Sequence, residues 1–221
     1  MNQRALVAEF IGTFALIFIG VGAIASNSIS GGQSGLVGIA LAHGIILATL
    51  ISATAAISGG HLNPAVTLGL FAAKKINLTN TIGYVIAQCA GAIAAAALIT
   101  IAIPHDVLTA VNFGIPALGA NITPTMGLIT EIILTFFLVF VVYGTAVSKH
   151  APKVGGLFIG LTVTADILMG GPITGAAMNP ARYLGPALVG GNLTNLWLYW
   201  VGPVIGGVLA GMLYSKLLDD A

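Results

Sequence analysis

Eight apolar segments fill most of this 221-residue chain, and two of them are too short to cross a membrane. Six run roughly over residues 4–25, 34–57, 80–103, 124–147, 154–171 and 195–217, each near the ~20 residues that a spanning helix needs. The remaining two, about 63–72 and 179–189, each begin with the same tripeptide, Asn63-Pro64-Ala65 and Asn179-Pro180-Ala181. Asp, Glu, Lys and Arg make up only 6% of the residues and mean hydropathy is +1.05, against about 25% charged residues in a soluble domain. The chain therefore reads as an integral membrane protein, all α-helical. Backbone that is neither helix nor closed barrel survives at membrane depth only when it is buried in protein or faces water. The stretches before the two short segments, Ser58 to Leu62 and Pro172 to Met178, are thus expected to be loops lining a water-filled path. Proline suits the first turn of each short helix, where its missing N–H has no partner to lose.

The few charges are informative. With the N-terminus inside, Arg4, Lys74, Lys75, Lys149, Lys153 and Lys216 all fall on one side, which the positive-inside rule makes cytoplasmic, as are both termini. Arg182 alone falls on the other side, and a charge placed there against cost is functional by default. Met1-Asn2-Gln3-Arg4 leads straight into an apolar run too long for a signal-peptide core, so that run reads as the first span. A net charge of +1 offers nothing to nucleic acid, and Cys89 as the only cysteine rules out an intrachain disulfide or a thiolate metal cluster. No metal spacing or nucleophile–base set is present, so neither enzyme chemistry nor a cofactor is expected.

The two halves echo each other. Ala8-Glu9-Phe10-Ile11-Gly12-Thr13-Phe14 resembles Thr130-Glu131-Ile132-Ile133-Leu134-Thr135-Phe136. The chain reads as one channel domain over 1–221, built from repeats at about 4–103 and 124–217. Three full spans per half force the second copy upside-down relative to the first. Inverted repeats of this kind bring discontinuous helices together at the midplane. The half-helices would then meet N-terminus to N-terminus, presenting Asn63 and Asn179 and two positive dipole ends to the centre.

Ala8-Glu9-Phe10-Ile11-Gly12-Thr13, Ser58-Gly59-Gly60-His61-Leu62-Asn63-Pro64-Ala65-Val66-Thr67, Asn179-Pro180-Ala181-Arg182 and Tyr199-Trp200-Val201-Gly202-Pro203 together resemble the aquaporin, or major intrinsic protein, family over nearly the whole chain. The resemblance implies six tilted helices with two re-entrant half-helices, one pore per subunit and a homotetramer. It implies a passive water channel that excludes protons and ions. It makes Arg182 part of a narrow outer filter whose other members, placed by spacing from the two motifs, are His43, Ile167 and Ala176. Histidine, isoleucine and a small residue there resemble the plant tonoplast intrinsic proteins, suiting ammonia, urea or hydrogen peroxide besides water. Tyr183 after Arg182, Ala187, and Tyr199-Trp200 are unlike a glycerol facilitator, the alternative within the fold.

The resemblance also gives Glu9 and Glu131 the task of holding the two loops by their backbone N–H groups, with Gln88 making a similar interhelical bond. Gly59, Gly60, His61, Gly175 and Ala177 are expected to contribute a ladder of carbonyls. Asp166 is unusual for the family; it is expected to point to a different helix face from Ile167 and to support the filter as a hydrogen-bonded carboxylate or neutral acid, with His43 and Arg182 as open candidates for its partner. Cys89 lies far from Ala176, so block by mercury through the filter is not expected. Secondary transporters and junctional membrane proteins are the rival classes. Short termini suggest the plasma (cytoplasmic) membrane.

Overall fold

The computed structural model describes residues 2–219, and every regular element in it is a helix. Six helices are long and apolar enough to span a bilayer: α1 (Gln3–Ile29), α2 (Gly35–Ser58), α4 (Leu78–Ala102), α6 (Pro124–Val142), α7 (Gly155–Thr174) and α9 (Leu196–Leu213). The half-helices are α3 (Pro64–Ala72) and α8 (Pro180–Val189), and a short helix, α5 (His105–Ala110), lies in the loop between α4 and α6. At the basic end, α6 and α9 each widen into a π-helical turn, Tyr143–Val147 and Tyr214–Leu218.

Composition explains how the bundle closes. The most extensive pairings are α6 with α9, α1 with α4 and α2 with α7, and glycines stand where they touch. A Cβ on Gly91 would lie 2.3 Å from the Phe10 carbonyl oxygen, and one on Gly206 would lie 2.2 Å from that of Ile132. Lipid tails are as apolar as leucine, so close backbone approach supplies van der Waals packing that burial alone does not. The outward faces stay apolar: Val7, Ile11, Ile45, Ile86, Ile101, Phe137 and Leu161 are exposed.

Boundaries differ from the sequence expectation at several ends. α1 continues to Ile29 rather than ending near 25, because nothing from Ile24 to Ile29 breaks a helix. α7 continues through Pro172 to Thr174, so the second loop is 175–178 and not 172–178. A proline costs a helix one N–H bond and a clash with the preceding turn, which near the end of α7 was insufficient to stop it. The stop comes instead at Gly175, left-handed at φ 78°, just as Gly59 at φ 92° stops α2.

Candidate functional site

Asn63 and Asn179 cap the two half-helices. Both have extended backbones, and each side-chain oxygen accepts from the first turn: Asn63 Oδ1 from the Ala65 N–H (2.8 Å), Asn179 Oδ1 from those of Ala181 (3.0 Å) and Arg182 (3.2 Å). Pro64 and Pro180 occupy the first helical position in each. The amide nitrogens then cross between the halves. Asn63 Nδ2 donates to the Met178 carbonyl (2.9 Å), and Asn179 Nδ2 donates to the Leu62 carbonyl (3.0 Å). An amide has two N–H donors, so one of each remains for whatever lies between the asparagines. Both residues line one internal cavity.

The loops feeding these asparagines have matching conformations. Gly59, Gly60 and Leu62 have positive φ, as do Gly175, Ala176 and Met178. Left-handed backbone costs a non-glycine residue about 1–2 kcal/mol, so Leu62, Ala176 and Met178 need outside support. Two buried carboxylates provide it. Glu9 accepts from the Ser58 hydroxyl (2.7 Å) and from the N–H groups of His61 (2.9 Å) and Leu62 (2.6 Å). Glu131 accepts from the Thr174 hydroxyl (2.7 Å) and from the N–H groups of Ala177 (2.9 Å) and Met178 (2.7 Å). Ser58 Oγ and Thr174 Oγ1 in turn accept from the N–H groups of Gly60 and Ala176. Tyr84 and Tyr199 donate to the carbonyls of Ser58 and Thr174, each at 2.8 Å. The first half carries one more brace: Gln88 Nε2 donates to Glu9 (2.7 Å) and to Thr67 Oγ1 (2.9 Å).

The four residues expected to form the outer constriction meet in the cavity that holds the asparagines. His43, Ile167, Ala176 and Arg182 line it together with Leu16, Val163 and Met178, and His43, Ile167 and Arg182 also line a second pocket beyond it, away from the basic end. Gly175 belongs to that second pocket. His61 and Ala177 line the central cavity, whereas Gly59 and Gly60 line a mouth at the basic end with His61, Lys75 and Tyr84. A continuous series of lining residues thus runs from Lys75 to Arg182.

His43 is buried, and its Nδ1 contacts the Ile39 carbonyl oxygen at 2.8 Å. A carbonyl only accepts, so Nδ1 carries the hydrogen and Nε2 is left as an acceptor. Arg182 is 5% exposed, and its Nη1 donates to the Gly114 carbonyl (2.8 Å). That partner lies in the 104–123 loop, which the sequence left without a conformation. Asn112, Phe113 and Gly114 form a tight turn with three successive positive φ angles that brings this carbonyl to the arginine.

Asp166 corrects an expectation. It is buried next to Ile167, yet its side chain bonds neither His43 nor Arg182, and its Oδ2 has no partner among the described residues. The different helix face is as expected, since adjacent residues point about 100° apart and only Ile167 faces the cavity; what is missing is the hydrogen bond to the filter. Cys89 is half-buried in α4 and lines neither the cavity nor its mouths.

Known proteins share this construction. The model of the family described as "Major intrinsic protein" matches residues 1–214. The chain is 45% identical over 223 residues to "Aquaporin TIP4-4" of Zea mays, covering 97% of this chain and 86% of that protein. It is 40% identical over 220 residues to "Aquaporin-4" of Mus musculus, covering 96% of this chain and 66% of that one. Among solved structures, the aquaglyceroporin from Plasmodium falciparum superposes with a TM-score of 0.88 at 26% identity, covering 100% of this chain and 98% of that chain. With the match running through both half-helices and all six spans, the chain belongs to the major intrinsic protein family.

Proposed function

We propose that the chain is a passive water channel whose selectivity is set by His43, Ile167, Ala176 and Arg182. The observation that carries this reading is the reciprocal capping of the two asparagines inside one lined cavity. Each amide is held by its oxygen in one half and by one N–H in the other, so the second N–H has a fixed direction. A water between them accepts from both and turns its own hydrogens outward along the path. That orientation breaks the hydrogen-bonded wire along which a proton would hop, while the two dipole ends and Arg182 repel cations.

Beyond water, the lining favours small neutral solutes such as ammonia, urea and hydrogen peroxide. Ile167 and Ala176 add no polar group and little bulk, and the imidazole of His43 adds a polar ring to the wall that also holds the Arg182 guanidinium. The carbonyl ladder of Gly59, Gly60, His61, Gly175 and Ala177 would replace water's lost partners on either side. The names of relatives include both aquaporins and an aquaglyceroporin, so glycerol is the alternative cargo. Residues 1–221 act in this reading as one channel domain of two inverted halves, supported by the parallel between the Glu9 and Glu131 networks. A homotetramer with both termini cytoplasmic fits the family and the distribution of basic residues. The relatives named TIP lend no support to a plasma-membrane address, and membrane residence rests on the six apolar helices.

Stopped-flow shrinkage of proteoliposomes tests the reading. Fast water flux with low activation energy and no proton conductance is expected, with ammonia or urea flux above a protein-free control. Accumulation of any solute against its gradient would mark a transporter instead. A His43→Phe, Ile167→His double variant with unchanged solute ratios would remove the filter assignment.

A further inference from the structure

Gly20 lies in the middle of α1 with an ordinary helical conformation; it is absent from the positive-φ residues. Glycine there costs roughly 1 kcal/mol relative to alanine, and no turn requires it. What the position requires is space. A Cβ on Gly20 would lie 2.4 Å from His43 Nε2, 2.7 Å from its Cδ2 and 3.0 Å from its Cε1. Every one of these falls far inside van der Waals contact, where carbon pairs are comfortable at about 3.5–4.0 Å.

The location of Gly20 gives this contact a consequence. Leu16 lines the central cavity and Ile24 lines the pocket beyond it. Residues four apart share a helix face, so Leu16, Gly20 and Ile24 form one stripe of α1 along the path. Only the middle member has no side chain, and there the imidazole tip of His43 occupies the vacated volume. His43 is meanwhile tethered through Nδ1 to the Ile39 carbonyl on its own helix. The ring is therefore fixed at one edge and recessed at the other.

We propose that Gly20 is a specificity-determining residue: by accepting the tip of the His43 ring into the surface of α1, it sets how far that ring projects into the path and so the size of neutral solute admitted. This rests on the reading of His43 as a filter residue. Any side chain at Gly20 pushes the imidazole off α1. The Nδ1 tether and the buried surroundings leave the lumen as the direction with room, opposite Ile167 and Arg182. A methyl group there narrows the path without altering any residue that lines it.

The test compares the parent, Gly20→Ala, His43→Ser and the double variant in proteoliposomes, with water, ammonia, urea and glycerol fluxes measured side by side. Gly20→Ala is expected to lower urea and glycerol flux several-fold relative to water, the larger solute falling further. In the His43→Ser background the same alanine is expected to change no ratio, because the ring it would displace is gone. If Gly20→Ala alone fails to reach the membrane, His43→Ser is expected to rescue it by removing the contact; failure to rescue would overturn the proposal. Unchanged ratios in a folded Gly20→Ala protein, or an equal effect with and without the ring, would overturn it as well. A His43→Ser protein with parental ratios would instead indict the filter reading, so the two failures are distinguishable.

Discussion

Glu131 offers the sharpest test of how the second re-entrant loop is held. The carboxylate is fully buried and accepts three bonds, two of them from the backbone N–H groups of Ala177 and Met178. Glu131→Leu keeps approximate volume and removes every acceptor. Each buried N–H left without a partner costs about 1–3 kcal/mol, so the two together cost about 2–6 kcal/mol. Membrane proteins return the lower half of such ranges, because the unfolded chain in lipid also finds partners. At this chain length each kcal/mol moves the unfolding midpoint by about 2–4 °C, which places the Leu variant about 4–16 °C below the parent for a loss of about 2–4 kcal/mol. Glu131→Gln retains one acceptor oxygen and orphans fewer donors, so it falls between the two. The loss also reaches the path: Met178, released at its N–H, carries the carbonyl that fixes Asn63 Nδ2. Thermal unfolding in detergent, paired with stopped-flow water flux, reads both effects. A Leu variant with parental midpoint and parental flux would refute the argument that the carboxylate holds the loop.

Asn63→Asp and Asn179→Asp keep the capping oxygen but remove the cross-half N–H donor, and each is expected to admit a cation or proton leak measurable by dye quenching in liposomes. Mercurials should leave the parent unblocked, since Cys89 lines no part of the path, whereas Ala176→Cys should confer block that added thiol reverses. At the basic end, Asp219 accepts from Lys75 Nζ (3.1 Å) and the Tyr143 hydroxyl (3.1 Å), fastening the end of α9 to the residues after α3. The Ser148 hydroxyl and the Lys75 ammonium facing it hold the Asp219 carboxyl below its usual range. A depressed carboxyl pKa stabilises above the unfolded value of about 3.9 and loses that effect as pH falls through the folded one. The clasp should therefore persist at neutral pH and open only on strong acidification, read as faster hydrogen exchange near the C-terminus; Asp219→Asn should open it at every pH.

Much of this was legible in the sequence because lipid leaves few alternatives. A long apolar run must be a helix, and a short one opening on Asn-Pro carries its own cap and first turn. Glu9 and Glu131 stood out because they occupy matching positions in the two halves, and it was the family resemblance that gave them the loops to hold. The contact between Arg182 and Gly114 escaped notice because it depends on three left-handed residues in a row, Asn112 to Gly114, of which Phe113 in the middle gives no signal of such backbone. Pro172 misled in the opposite sense, since proline reads as a stop and the helix passed it. Gly20 was just as hidden. Among 30 glycines, nothing local marks the one that faces an imidazole, because the partner is a helix away.

The central claim is that two half-helices, joined through Asn63 and Asn179, form a path for water that carries no charge. Purified protein in liposomes, with water flux followed by light scattering and proton flux by an internal pH dye in the same preparation, tests it most directly. Water permeability well above protein-free vesicles, with low activation energy and proton flux at the protein-free level, is the predicted result. Water flux at the protein-free level, or proton flux that rises with it, would contradict the account.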